Sequence, residues 1–261
     1  MALPSFAGFS LQDSNYITSQ VNYRTWPARD TATKKTARKP GSKFIAEEFG
    51  ERRISLMGYI IGSSVSDLKN KIDDFNASLQ KNSDILEVES GRYFTATVAS
   101  ISIGDPRYSQ DFVPFEAEFI CADPFAYGNP LSASMTVTSG TVSQTLSTTI
   151  SGSYFAEPEI KYTAPAGSGL TTTSGVRITY RQSGEYVDWN GNTSGTGDTY
   201  IDRSEAMTFD YKNYKILQST TQVEHTGVFA QCKRGTANFD VIFGGNVCGG
   251  EIIISYTPRY L

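Results

Sequence analysis

The chain has 261 residues, 39% of them hydrophobic, enough to bury one large core or two ordinary ones without staples, and two domains are expected. Its formal net charge of −4, from 23 basic and 27 acidic side chains, excludes a protein held to nucleic acid or an anionic membrane by bulk electrostatics. The opening Met-Ala-Leu-Pro-Ser-Phe lacks the charged and apolar regions of a secretory leader, and no stretch reaches the roughly 18 consecutive apolar residues of a membrane helix, so no membrane insertion is expected.

Fifteen Tyr, fifteen Phe, 23 Gly and a single stretch of helical periodicity argue a mainly β protein. In chain order, Phe6 to Leu11 and Tyr16 to Tyr23 read as strands or an arm. Between Arg24 and Lys43 stand seven basic residues (Arg24, Arg29, Lys34, Lys35, Arg38, Lys39, Lys43) against one acid, Asp30, with little to bury, which reads as a long exposed loop or a protruding hairpin. Arg53 to Gly62 is a strand. From Ser64 onward, Val65, Leu68, Ile72, Phe75 and Leu79 recur at steps of three and four. That spacing lines one face of a helix and leaves Asp67, Lys69, Lys71, Asp73 and Asp74 on the other, with Ser64 and Asp67 as a capping signal. The single apolar stripe predicts that Phe75 and Leu79 face a sheet. Ile85 to Glu89, Tyr93 to Ile103 and Val113 to Cys121 follow as strands. In the last of these, Val113, Phe115, Ala117, Phe119 and Cys121 share a buried face, while Pro114, Glu116, Glu118 and Ile120 meet solvent or another subunit.

Gly128-Asn129-Pro130 ends this module, dividing the chain into domains 1–128 and 129–261. The Ser/Thr-rich stretch from Leu131 to Ser153 favours short strands over disorder. Further strand candidates are Val176 to Tyr180, Tyr200 to Ile201, Ala206 to Tyr211, Tyr214 to Leu217, Phe239 to Phe243 and Ile252 to Tyr256. Gly, Asn and Ser clusters separate them, the pattern of a β-sandwich.

Several phrases, taken in order, resemble the distal tail protein family of long-tailed, non-contractile bacteriophages. They are Gly41-Ser42-Lys43-Phe44, Gly50-Glu51-Arg52-Arg53-Ile54-Ser55-Leu56, the amphipathic helix, Gly91-Arg92-Tyr93 and Asp123-Pro124-Phe125. In the second half the likeness rests on Tyr154 to Ile160, Gly197 to Asp202 and Ile252 to Tyr260. None of these is a catalytic signature, and the specificity lies in their order. The resemblance implies a split β-barrel-like N-terminal domain with one helix, forming a homo-hexameric ring, followed by a lectin-like C-terminal β-sandwich at its periphery. It further implies a structural, non-enzymatic protein at the virion tail tip, assembled in the host cytoplasm and needing no cofactor. The implied partners are the tail tube protein, the tail hub or tip protein, a receptor-binding protein and the tape measure protein, with DNA passing through the ring unbound. An extended arm embraces the neighbouring subunit in this family, which would give Arg29, Lys34, Lys35, Arg38 and Lys39 their contacts. A solvated loop is the alternative. Phosphate binding is disfavoured, because ionic contacts in a channel would retain the DNA and only Trp26 offers a stacking ring.

Catalytic chemistry finds little support. His225 is the only histidine, so no histidine-based metal cluster or activated nucleophile can be assembled, and a surface or interface position is expected for it. Glu185, Asp188, Asp198 and Asp202 could supply a carboxylate pair, but acids beside Gly-rich turns are commonplace. Asp188 to Asn192 begins like a calcium loop and then places Thr193 where glycine, and Thr199 where glutamate, is needed. Trp189, an aromatic ring among polar residues, could stack on a sugar or anchor a protein contact, or could fold back onto the sandwich. Recognition of host carbohydrate by the C-terminal domain is therefore the alternative function. Three cysteines (Cys121, Cys232, Cys248) without a C-x-x-C pair read as reduced thiols, a Cys232 to Cys248 bridge being the other arrangement. Asn76-Ala-Ser and Asn192-Thr-Ser match a glycosylation pattern by chance.

Overall fold

Alternating apolar runs become antiparallel strands in the computed structural model, which describes residues 4–35, 42–106, 111–166, 172–190, 201, 203–246 and 249–261. The chain divides into two units, Met1–Tyr127 with the terminal Leu261, and Gly128–Tyr260.

In the first unit a two-residue turn at Ala7 and Gly8, both at positive φ, joins β1 (Ser5–Phe6) to β2 (Phe9–Ser10). There follow β3 (Tyr16–Asn22), β4 (Arg29–Lys35), β5 (Ser42–Phe49), β6 (Arg52–Ile61), α1 (Val65–Leu79), β7 (Asp84–Glu89), β8 (Arg92–Ile103), β9 (Phe112–Cys121) and β10 (Ala126–Tyr127). The main sheet runs β2-β1-β7-β8-β9-β6-β3, with β10 paired to β8 through Tyr127 and Tyr93. The twelve-residue β8 serves two neighbours in succession. Its first residues pair with β7, and from Thr97 onward it pairs with β9 past a bulge between Val98 and Ser100. A bulge strengthens local twist, so the sheet bends there; among the described strands it stays open, with β2 and β3 at its ends.

The predicted helix forms where its periodicity places it. Ser64 caps it, its Oγ accepting from the Asp67 backbone N–H at 3.2 Å, while the Asp67 carboxylate accepts from the Ser63 N–H at 2.7 Å. Leu68, Phe75 and Leu79 are buried. The Phe75 ring lies 4.8 Å from Phe115 of β9 and 5.8 Å from Tyr16 of β3, which confirms that the stripe faces the sheet. The inward residues of β6 and β9, including Ile54, Leu56, Ile60, Val113, Phe115, Ala117 and Phe119, complete this core.

The second unit is a sandwich. Its strands are β11 (Leu131–Val137), β12 (Ser143–Ile150), β13 (Glu159–Thr163), β14 (Thr172–Tyr180), β15 (Tyr186–Trp189), β16 (Ala206–Asp210), β17 (Lys215–Gln218), β18 (Thr221–Val223), β19 (Thr226–Gly227), β20 (Gly235–Asn246) and β21 (Gly250–Tyr256). One sheet has the order β11-β21-β13-β16-β17-β18 and the other β12-β20-β14-β15-β19. Inward residues of the two meet in a shared core, with Tyr162 of the first sheet 5.2 Å from Phe243 of the second. The Ser/Thr-rich stretch supplies β11 and β12, which sit at the edges of different sheets. Edge strands need only one buried face, so sparse apolar residues suffice there.

Candidate assembly surfaces

The basic segment is half of a hairpin. β4 and β5 pair antiparallel from Arg29↔Phe49 to Lys35↔Ser42 and form a two-stranded sheet of their own. Arg29, Asp30, Thr31, Ala32 and Thr33 are all exposed. β4 has no apolar face to direct its folding, and its conformation follows from the ladder to β5 and from a packed base. There the Gly50 N–H donates to the Ala28 carbonyl at 2.8 Å, and the Arg29 guanidinium stacks over Trp26 at 4.3 Å and over Phe49 at 5.2 Å. Phe49 in turn meets Phe125 edge-on at 5.8 Å.

Beside the base, the Tyr23 hydroxyl donates to the Glu89 carboxylate, and Arg24 and Arg92 pair with the same group at 3.3 and 3.1 Å. Tyr23, then Arg92 and Arg24, hold Glu89 below the ordinary carboxylate range. Asp30 stands alone among acids in the segment, so most of its positive charge has no local counterpart in the sequence.

A second surface lies on the outward face of the main sheet. Register places Ile17 of β3 beside Tyr59 of β6, and Tyr59 beside Pro114 of β9. The Tyr59 ring also meets Phe112 edge-on at 5.6 Å. Ile17, Tyr59 and Phe112 are 37%, 42% and 48% exposed, at positions where a water-facing sheet carries polar side chains. Next to them a shallow depression of about 450 Å³ is lined by Ser19, Gln20, Met57, Gly58, Gly104 and Glu116. Gly58 is required at its floor, because a Cβ there would lie 2.1 Å from the Ile17 carbonyl oxygen.

A third is the free edge of β3. At its start, Gln12 Oε1 accepts from the Thr18 N–H at 2.7 Å and the Asp13 carboxylate accepts from the Tyr16 N–H at 3.0 Å, which blunts that part of the edge. Further along, Gln20 to Thr25 border a groove of about 750 Å³ closed on its other side by Val88 and Glu89.

The sequence candidates are distributed as follows. Arg29 is engaged at the hairpin base, and Lys34 and Lys35 are the last residues of β4. Arg38 and Lys39 lie outside the described residues. Trp189 corrects one of its readings: it is 0% exposed at the end of β15, among the sandwich core, so its ring is not presented to a sugar or a partner. The cause is strand alternation, which turns Val187 and Trp189 inward and Tyr186 and Asp188 outward. Asp188 is paired with Arg177 at 2.7 Å, Glu185 accepts from the Ser183 hydroxyl at 2.8 Å, and Asp198, Asp202 and Asn192 lie outside the described residues. His225 is half-buried, its ring edge-on to Phe229 at 5.2 Å. Cys121 and Cys232 are buried free thiols, and burial pushes both up to about 12, leaving them unreactive. Cys248 lies outside the described residues.

Sequence reasoning missed the exposed stripe, because Ile17, Tyr59 and Phe112 become neighbours only through the register. The available signal was parity: Tyr59 falls between the buried positions of its own strand.

Residues 6–121 match the family model of phage tail protein RIFT-related domains, which bears out, for that part of the chain, the resemblance read from its sequence. No curated protein matches the sequence. Among solved structures, the chain is similar to the Dit protein of phage SPP1, described as a paradigm of hub adsorption apparatus in phages infecting Gram-positive hosts. The two share 14% identity over 99% of each chain, with a TM-score of 0.69. A chain of the phage P2 baseplate in its activated conformation aligns at 10% identity over 94% of this chain and 92% of that one, with a TM-score of 0.43.

Proposed function

We propose that this protein is a structural distal tail protein of a phage, whose N-terminal unit forms a homo-hexameric ring between the tail tube and the tail-tip hub. The C-terminal sandwich is its peripheral domain. The observation that carries this reading is the unfinished state of the N-terminal unit. It has a hairpin rich in basic residues whose Arg29 to Thr33 are exposed, an edge of β3 left free among the described strands, and an uncovered apolar face. An isolated two-stranded hairpin is marginal in water, and an open edge invites further pairing; closure of identical units into a ring satisfies both without open-ended growth. The end-to-end likeness to the SPP1 protein supports the same architecture. The tail tube protein, the hub or tip protein, a receptor-binding protein and the tape measure protein are its partners in this reading, with DNA passing through unbound. The virion tail tip is its site, reached after assembly in the host cytoplasm.

The hairpin, with Arg29, Lys34, Lys35, Arg38 and Lys39, acts as an arm towards a neighbouring subunit. Sugar recognition through Trp189 loses its support with that ring in the core. Negative-stain images of the purified protein should show six-fold rings, and a chain ending at Gly128 should form them as well. Monomers in both preparations would overturn the proposal, whereas rings from the full chain alone would overturn only the assignment of assembly to the first unit.

A further inference from the structure

Ring closure, as proposed, uses the hairpin and the edge of β3 and leaves the outward face of the main sheet without an occupant. Ile17 of β3, Tyr59 of β6 and Pro114 of β9 stand side by side across three strands, and Phe112 meets the Tyr59 ring at 5.6 Å. Contiguous exposed apolar surface of this kind marks a place of contact. The stripe lies between carboxylates. Asp111 precedes it along the chain and Glu116 follows it on β9; both are exposed, and neither has a salt bridge among the described residues. Arg53, further along β6, is already engaged by Glu51 and Glu118 at 2.8 and 3.1 Å.

Three properties of this face select what covers it. First, β6 is paired on both sides, to β3 and β9, and β9 to β6 and β8, so the backbone groups beneath the stripe are engaged in the ladders and cannot add another strand. The occupant must bring apolar rings to the aromatic side chains without needing backbone partners. A polyproline II segment does this, since it has no internal hydrogen bonds and keeps its backbone solvated. Second, the stripe is about 10 Å across, two inter-strand spacings, and three residues of polyproline II advance about 9 Å, so prolines three apart reach from Ile17 and Tyr59 to Pro114. Third, the unpaired carboxylates are complemented by a cation and repel the same face of a second copy. Nor does a second copy carry the segment, because the closest two of the chain's ten prolines, Pro124 and Pro130, lie six positions apart. We propose that the outward face of β3, β6 and β9 is a docking site for an extended, proline-rich segment of another protein. Prolines three apart pack on Ile17, Tyr59 and Phe112, and an adjoining Arg or Lys pairs with Glu116. The depression of about 450 Å³ beside the stripe, with Gln20, Met57 and Glu116 among its walls, receives that side chain, its methylene stem on Met57 and its charged head at the carboxylate.

Selection of random decapeptides on the immobilised full chain tests this. Peptides enriched on wild type should carry two prolines three apart with an Arg or Lys beside them. They should be lost on Tyr59→Thr and on Phe112→Thr without a change in melting temperature, since these side chains are 42% and 48% exposed and Thr suits a strand. Enrichment without prolines, equal enrichment on the variants, or none at all overturns the proposal. So does an oligosaccharide that binds wild type on an array and is lost with Tyr59→Thr, which would give the face to a sugar. For a selected peptide, fluorescence anisotropy should show Glu116→Lys weakening binding about tenfold, more at low salt, and exchange of the peptide's basic residue for Glu should restore binding to that variant. No loss with Glu116→Lys, or no recovery with the exchanged peptide, overturns the choice of a basic segment. Each reading is taken on the chain in whatever oligomeric state it holds, so a failure of the ring reading leaves this one standing.

Discussion

The two units handle charge and apolar surface in opposite ways. On the outward face of the sandwich, Arg177 pairs with Asp188 at 2.7 Å and covers the Tyr186 ring at 4.7 Å, while Arg181 binds Asp240 through two nitrogens with Thr145 alongside. Arg181 accordingly holds Asp240 below the ordinary carboxylate range. Of its exposed apolar residues, Val142, Tyr214 and Val228 are dispersed over turns and loops, and Leu131, Tyr186 and Ile242 stand on three different strands. In the N-terminal unit three of the exposed apolar residues, Ile17, Tyr59 and Phe112, are contiguous, with Trp26 and Ile85 apart from them; the nearby Asp111 and Glu116 have no salt bridge among the described residues, and the sequence concentrates positive charge on a separate hairpin. A sheet that pairs its own charges is finished as a monomer. One that separates them is, under the proposed ring, completed by another copy.

The largest expected effects test whether the units are independent in stability. Phe75→Ala should remove about 3 to 5 kcal/mol from the N-terminal unit, since a fully buried ring touching Phe115 and Tyr16 leaves a cavity that the surrounding core fills only in part. Trp189→Ala should cost the sandwich a similar amount, about 3 to 5 kcal/mol, while the rings still form. Trp189→Phe should cost far less, because the indole Nε1 has no hydrogen-bond partner to lose. Calorimetry with two transitions, each variant lowering only one, is the expected result; both transitions falling together would dissolve the comparison.

A smaller effect of opposite sign is expected at Arg52. Its side chain is 3% exposed, Nε and Nη2 have no hydrogen-bond partner among the described residues, and the Phe94 ring lies 5.3 Å away. Burial lowers its affinity for the proton. Arg52→Met should therefore stabilise the monomer by about 1 to 3 kcal/mol in urea unfolding, as replacing a poorly compensated buried charge does elsewhere. If the same variant loses ring formation, the guanidinium serves an acceptor on a neighbouring copy, and the unfinished character of this unit extends beneath its surface.

Much of the fold was legible because period and parity are local properties. The helix from Val65, its Ser64 cap and the inward face of β9 follow from spacing alone. The hairpin was legible only as one of two options. Arg29 to Lys35 has neither apolar alternation nor turn residues, and its strand state is imposed by the partner β5. Trp189 misled because its sequence neighbours Asp188 and Asn190 are polar, yet polar neighbours are what alternation gives a strand residue that points inward. The apolar stripe was illegible for a different reason: its members are 42 to 95 positions apart, brought together by a ladder whose register no single segment encodes.

The smallest predicted effect concerns the helix that fixes the N-terminal core. Asp67 accepts from the Ser63 backbone N–H and hydroxyl at 2.7 and 2.9 Å, and Lys71, one turn on, pairs with it at 3.0 Å. The backbone bond above all, then Lys71, lowers its pKa from 3.8 to about 2. A carboxylate held below its unfolded value stabilises the fold fully above the unfolded pKa and loses that contribution as pH falls through the folded one. The window is therefore pH 4 to 2, and the group is exposed, so the loss is modest and screened by salt. Asp67→Asn should unfold slightly more easily than wild type at neutral pH, with the difference in unfolding midpoint narrowing as pH drops from 4 towards 2. Because the contribution belongs to the N-terminal unit, only the transition that Phe75→Ala lowers should carry this pH dependence. An equal response in the sandwich transition would show that the two units exchange stability, and the contrast between a finished and an unfinished domain would then describe their surfaces alone.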